Sequence, residues 1–454
     1  MMSLLAQISP DEALAGLPDE AAALEPFVAD IMGLLNNYAI LFVIAFGVTL
    51  LCTPLVRRAA ILAGIVDRPD FQRKQHRAPV PYLGGVAVFL GLMVAIAASF
   101  FEFGGAQPDY RPIPISIIVG IIVITFAGLA DDVWGWDPRL KIAGQLVAAA
   151  ALALEDVGVR VAEGLLRPVF GAPEQLLFGL EWMPNNGQLY YWVGTAIIAI
   201  FVLGGCNAAN LMDGLDGLLS GTTAIVAMGL LAIALVMAVT PLAGDGGATL
   251  AGARIALCVA LLGAVLGFLP HNFNPASIFL GDSGSLLLGY VSVVIILMLG
   301  DQGHTPLVFA GLIVFSVPIM DTTLAIVRRK MAGRPMSAAD NQHIHHQLLR
   351  ALGGVKRAVF ALYAITAAFA LLGVTLAVLV MQTDLRVRVI YAIALVLFGF
   401  IGVMAFKAAR QRELDAQMDR LNGLHGIDQA SARGSAAPAG RSAVTVEEES
   451  ESLV

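Results

Sequence analysis

Charge is scarce in this sequence. Only 13% of its 454 residues are Asp, Glu, Lys or Arg, while 58% are hydrophobic and the mean hydropathy is +0.81. Ordinary soluble domains carry about 25% charge, so this composition speaks against a soluble globule. Cysteine is nearly absent too. Cys52, Cys206 and Cys258 fall in or beside apolar runs without metal or redox spacing. They read as small buried hydrophobes and exclude a disulfide framework. No Lys or Arg precedes Tyr38, which removes the basic start of a signal peptide. The acids there (Asp11, Glu12, Asp19, Glu20, Glu25, Asp30) read instead as a translocated tail. No internal repeat is visible.

Long apolar runs are what the chain has in quantity. About 20 apolar residues span a hydrocarbon core, and about eleven such runs are present. They lie near 38–56, 84–101, 113–130, 140–154, 191–205, 218–239, 250–269, 285–299, 307–327, 358–380 and 389–406. The expected fold is all-α and polytopic, with about eleven transmembrane helices. An acidic extracytoplasmic tail (1–37) precedes the membrane domain (38–406), and a cytosolic, largely disordered tail (407–454) rich in Ser, Ala, Gly and Glu follows it. With the N-terminus outside, of 27 basic residues only Arg111, Arg160, Arg167, Arg254, Arg386 and Arg388 stay on the outer side or its border. That distribution obeys the positive-inside rule. The net charge of −7 comes from the two tails, so no charged partner, and no nucleic acid, is inferred from it.

The remaining polar residues cluster. A charge at the bilayer centre costs about 2.5–3.5 kcal/mol on insertion scales, and these clusters avoid it by sitting at span ends. All fall on the expected cytosolic side, at 67–85, 131–145, 207–217, 271–285 and 321–346, and so predict one composite site. Adjacent carboxylates such as Asp131 and Asp132 repel unless a cation, a lysine or a proton transfer uses them; the bland reading is a solvated acidic loop. Asp137-Pro138 predicts an N-cap and first-turn proline. Lys141 then lies in that first turn, one turn before Gln145 on the same face, with its ammonium directed back toward the acid pair. Asn207, Asn210, Asp213 and Asp216 recur every third residue, a stripe of the hard oxygen donors Mg²⁺ prefers, or else an interfacial turn with caps. Asp282 or Ser283 reads equally as a ligand or as the N-cap of the next span. His343, His345 and His346 fit hydrogen bonding to a diphosphate better than a zinc tract.

Taken in order, five segments resemble the polyprenyl-phosphate N-acetylhexosamine-1-phosphate transferases. They are Asp67 to Gly85 (with Lys74 and His76), Asp131-Asp132, Asn207 to Leu218, Phe273 to Ser285, and Asp321 with the histidines. The resemblance runs from about Asp67 to Leu349 and implies transfer of a sugar 1-phosphate from a UDP-N-acetylhexosamine to a polyprenyl phosphate in the lipid bilayer, with UMP released. By position it implies Asn210 and Asp282 as ligands of Mg²⁺, or of Mn²⁺ in its place. It implies Asp131 as the carboxylate facing the lipid phosphate, supported by Asp132, with Lys141 beside them. Lys74, His76, His343, His345 and His346 are implied as substrate contacts, and Asn207, Asp213 and Asp216 as nucleotide or structural partners. A homodimer is left open. His76-Arg-Ala-Pro-Val-Pro resembles the branch that starts O-antigen, teichoic acid or related glycans on undecaprenyl phosphate, with UDP-GlcNAc as donor, at the bacterial inner membrane. The rival class is a multispanning transporter of nucleotide sugars or lipid-linked glycans. It would place ionisable or broken-helix positions at midplane on paired repeats.

Overall fold

In lipid a chain must satisfy its backbone internally, and a helix does so within one segment. The structure, a computed structural model, describes residues 17–67, 79–103, 112–172, 174–175, 185–240, 250–331, 333, 343–383 and scattered positions between 389 and 410. Thirteen helices account for most of them. In chain order they are α1 (Leu17–Leu62), α2 (Gly84–Phe103), α3 (Ile115–Trp134), α4 (Pro138–Leu154), α5 (Val161–Phe170), α6 (Asn186–Met212) and α7 (Leu218–Val239). Then come α8 (Ala251–Asn272), α9 (Gly281–Met298), α10 (Thr305–Val314), α11 (Ser316–Met331), α12 (Ile344–Leu352) and α13 (Val355–Gln382). A two-residue ribbon, β1 (Val66–Asp67) against β2 (Val80–Pro81), joins α1 to α2.

Eight of the described helices are long and apolar enough to cross a membrane, or nine if α10 and α11 are one span bent by 77°. Eleven spans follow from the sequence pattern, and the differences have physical causes. α4 has 17 residues, about 25 Å at the helical rise. It still runs from the polar end of the bundle to the other, where Glu155 at its C-terminus bonds Ser116 at the start of α3. The expected span at 307–327 is broken: Pro318 would clash with the carbonyl of Val314 in a straight helix, and the chain turns at Phe315 instead. The last expected span lies largely outside the described residues, as do residues 1–16 and most of the C-terminal tail, while 17–37 of the expected N-terminal tail form the start of α1.

α9 is the axis of the bundle. Every residue from Ser283 to Met298 is buried, and the helix packs against α2, α3, α6, α7, α8 and α10. Small residues permit that crowding, as is usual between membrane helices. A methyl group on Gly85 would lie 2.1 Å from the Gly284 nitrogen, one on Gly128 2.5 Å from the Ser283 backbone, and one on Gly289 2.4 Å from the Gly205 carbonyl. Gly85 and Gly128 belong to the polar motifs, so those motifs also fix how closely α2 and α3 approach the start of α9.

Candidate active site

The polar ends of α3, α4, α6, α8 and α9 meet at one end of the bundle. Asp137 caps α4 by accepting the Arg139 N–H at 2.8 Å, with Pro138 in the first turn, as the sequence predicts. This cap aims Lys141 at the acids. Its Nζ pairs with Asp131 at 2.6 Å and with Asp282, and the three side chains are 23%, 20% and 26% exposed. Asn210, on the last turn of α6, donates to Asp282 Oδ1 at 2.8 Å and to the Ser285 hydroxyl at 2.9 Å.

Neither Asp282 nor Ser283 caps its own helix. Asp132, from α3, accepts both their backbone N–H groups, at 2.8 and 2.9 Å. A carboxylate at the positive end of a helix is favourable, and this one fixes the direction in which Asp282 points. The acid pair thus divides its work: Asp131 faces Lys141, and Asp132 holds α9.

The Asn/Asp row splits because steps of three residues drift around a helix. Asn207 turns to Gln145, donating to its Oε1 at 3.0 Å, while Asn210 turns to Asp282. α6 ends at Met212, which leaves Asp213 and Asp216 in the following turn. Burial, then the nearby carboxylates of Asp282, Asp132 and Asp216, push the Asp213 carboxyl up to about 7. Asp216 has a structural set of partners, accepting from Asn274 Nδ2 at 2.9 Å and the Ala276 N–H at 3.0 Å.

Beside these groups lies a cavity of about 870 Å³, the size of a nucleotide-sugar site. Asp132, Asn210, Asp213, Asp282 and His346 line one part; Leu215, Pro275, Phe279, Leu349 and Val355 supply apolar walls. Of the three histidines, only His346 lines it. Asp321 accepts the Ile344 N–H at 2.8 Å and holds His343 at 3.1 Å and His345 at 3.7 Å. His343 and His345 are buried at 6% and 2% exposure, and the Nε2 of His345 would lie 2.3 Å from a methyl on Gly214. His343 therefore ties the start of α12 to α11, His345 also packs on the Asp213–Gly217 turn, and together they place His346. Burial, then His345, His343 and Arg350, push the His346 imidazole down to about 4.

Lys74 and His76 lie outside the described residues. Sequence reasoning gave no role to Asp67, Tyr82, Asn274 or Phe279, all of which line the cavity. Each belongs to a segment already marked by its polar motif, and only its place in the fold shows that it reaches the cavity.

The profile of Glycosyl transferase family 4 matches residues 114–300, which hold Asp131, Asp132, Lys141, Asn210 and Asp282. The chain is 35% identical over 349 residues, 76% of its length and 87% of the relative's, to the probable undecaprenyl-phosphate N-acetylglucosaminyl 1-phosphate transferase of Bacillus subtilis (strain 168). It belongs to this family. A decaprenyl-phosphate N-acetylglucosaminephosphotransferase of Mycolicibacterium smegmatis is 34% identical over 72% of this chain and 79% of its own. The undecaprenyl-phosphate alpha-N-acetylglucosaminyl 1-phosphate transferase of Salmonella typhi is 30% identical over 78% and 88%. The transporter reading loses its support.

The carboxylates of Asp282 and Asp131 and the carboxamide of Asn210 lie together and would be the donors for a hard cation. Carboxylate and amide oxygens suit Mg²⁺.

Proposed function

We propose that this chain transfers N-acetylglucosamine 1-phosphate from UDP-GlcNAc to undecaprenyl phosphate at the cytosolic face of a bacterial inner membrane, starting a lipid-linked envelope glycan. A phosphate oxygen of the lipid attacks the β-phosphorus of the donor. The bond from that phosphorus to the oxygen bridging it to the α-phosphorus breaks, and UMP leaves with the bridging oxygen. Phosphoryl transfer needs positioning and charge neutralisation more than covalent help.

The observation that carries this reading is the convergence of Asp131, Lys141, Asn210 and Asp282, the last two in the wall of a nucleotide-sized cavity and the first two bonded behind Asp282. Asp131 faces the acceptor phosphate and Lys141 neutralises phosphate charge. Asn210 and Asp282 hold Mg²⁺, which supplies electrostatic stabilisation to the diphosphate when bound. His346, neutral at pH 7, donates a hydrogen bond to the diphosphate. Phe279, Asp216 and Asn274, which also line the cavity, supply what a nucleobase needs, one apolar face and polar edge partners. The N-terminus lies outside and the site inside, as the basic residues are distributed.

The test is UMP release from UDP-GlcNAc by the detergent-purified protein with undecaprenyl phosphate, with and without Mg²⁺, beside Asp282→Asn. Mg²⁺-dependent UMP together with a lipid-linked sugar diphosphate, both lost in the variant, is the expected result. Release from a different UDP-sugar alone would keep the reaction and change the donor. Inactivity with every UDP-sugar would sink the reading.

A further inference from the structure

A divalent cation at Asp282 needs carboxylate oxygens, and both of them are taken. Oδ1 accepts from Asn210 at 2.8 Å, and Oδ2 holds the Lys141 ammonium, which also pairs with Asp131 at 2.6 Å. Among the described residues, no three acids, histidines or cysteines converge as a ready metal cage. Asp282 is also poorly placed to turn aside. Its own N–H and that of Ser283 are tied to Asp132, and its helix is the buried axis of the bundle.

We propose that Lys141 is the resident counter-cation of Asp131 and Asp282, that its ammonium leaves Asp282 when a divalent cation binds there, and that it then pairs with substrate phosphate. This rests on the metal-assisted reading above. An ammonium and a divalent cation on one carboxylate repel strongly in a half-buried site, so they exchange rather than share. The lysine can make the move. Its backbone is fixed by the Asp137 cap and Pro138, while its four-carbon stem rotates freely and Asp131 gives the head a second anchor. Asn210 needs only to turn its carboxamide over to present oxygen in place of nitrogen. The exchange has a use. Without metal, Lys141 keeps two carboxylates from repelling each other across the start of α9. With metal, the displaced ammonium lacks one partner and a substrate phosphate supplies another, so metal and phosphate binding favour each other.

The experiment measures Mn²⁺ binding to full-length protein in detergent, without Mg²⁺, by loss of the free-ion electron paramagnetic resonance signal, with and without UMP. Lys141→Met and Lys141→Gln should bind Mn²⁺ about tenfold tighter or more, because a competing unit charge is gone. Lys141→Arg keeps the charge and should stay close to the parent protein. Asp282→Asn should abolish the site, alone and combined with Lys141→Met. Equal or weaker binding by both Lys141→Met and Lys141→Gln, at a site still lost in Asp282→Asn, would overturn the exchange and leave the metal reading intact. Absence of any Asp282-dependent Mn²⁺ binding, in every protein and with UMP, would overturn both.

Discussion

The two ends of this bundle use the same device to different effect. At the end away from the site, Glu155 accepts the Ser116 N–H at 3.0 Å and its hydroxyl at 2.7 Å, capping α3. At the site end, Asp132 caps α9 in the same way. Other polar side chains at that end donate to backbone or side-chain oxygens. Arg160 donates to the Gln302 side chain, buried Arg254 to the Met298 carbonyl, and Asn186 to the Phe170 and Ala172 carbonyls. Around Asp132 the acids instead gather, and burial, then the neighbouring carboxylates, push Asp213 up to about 7. One end uses its polar pairs to hold helices together. The other gathers Asp131, Asp132, Asp213 and Asp282 near a single Lys141 beside the cavity.

Changing the charge at the site end is the most direct way to break this contrast. Asp282→Asn should lower UMP release by about 1,000-fold or more while leaving the thermal midpoint in detergent close to the parent, since Asn keeps the size and one acceptor. A large fall in the midpoint would instead make Asp282 a structural residue.

The paired caps sharpen the contrast next. Asp132→Ala should lose about 1–2 kcal/mol of stability with its cap and, because Asp282 loses its support, about 100-fold in kcat. Glu155→Ala should lose a similar stability, about 1 kcal/mol, and keep turnover within about twofold of the parent. Equal losses of turnover would show that the two ends are coupled. Among glycines, Gly128→Ala should destabilise by about 1–3 kcal/mol through overpacking against Ser283. Gly204→Ala, with nothing within 4 Å of its added methyl, should leave the midpoint unchanged or slightly raised.

The smallest effect concerns pH. The His346 imidazole is pushed down to about 4 in the fold against about 6.5 when unfolded. The unfolded chain therefore binds more protons between those values. The stability tied to neutral His346 is fully present above about pH 6.5 and is lost as pH falls toward 4. His346→Gln should flatten the dependence of the thermal midpoint on pH in that window, and an unchanged slope would remove His346 as its source.

Much of the site was legible before the fold. Asp137-Pro138 announced the start of α4 because capping is local chemistry, and Lys141 followed from helical geometry. Asp131, Asn210 and Asp282 stood out because polar groups at the ends of apolar spans need a reason. The cap of α9 was not legible, because its acceptor comes from residue 132, about 150 positions earlier in the chain. Nor was the division among the histidines. His343, His345 and His346 look alike in sequence, and only Asp321 and the bare surface of Gly214 decide that two are buried anchors and one faces the cavity.

By itself the sequence determined the all-helical membrane bundle, the end at which its polar residues collect and the family-like order of its motifs. These depend on apolar run length and local capping, which each segment carries within itself. The tertiary structure decided the break at Phe315, the burial of α9 and its close approach to Gly85 and Gly128, and which member of each polar pair faces the cavity. Those features depend on contacts between residues far apart in the chain, whose distance is fixed only when the helices pack.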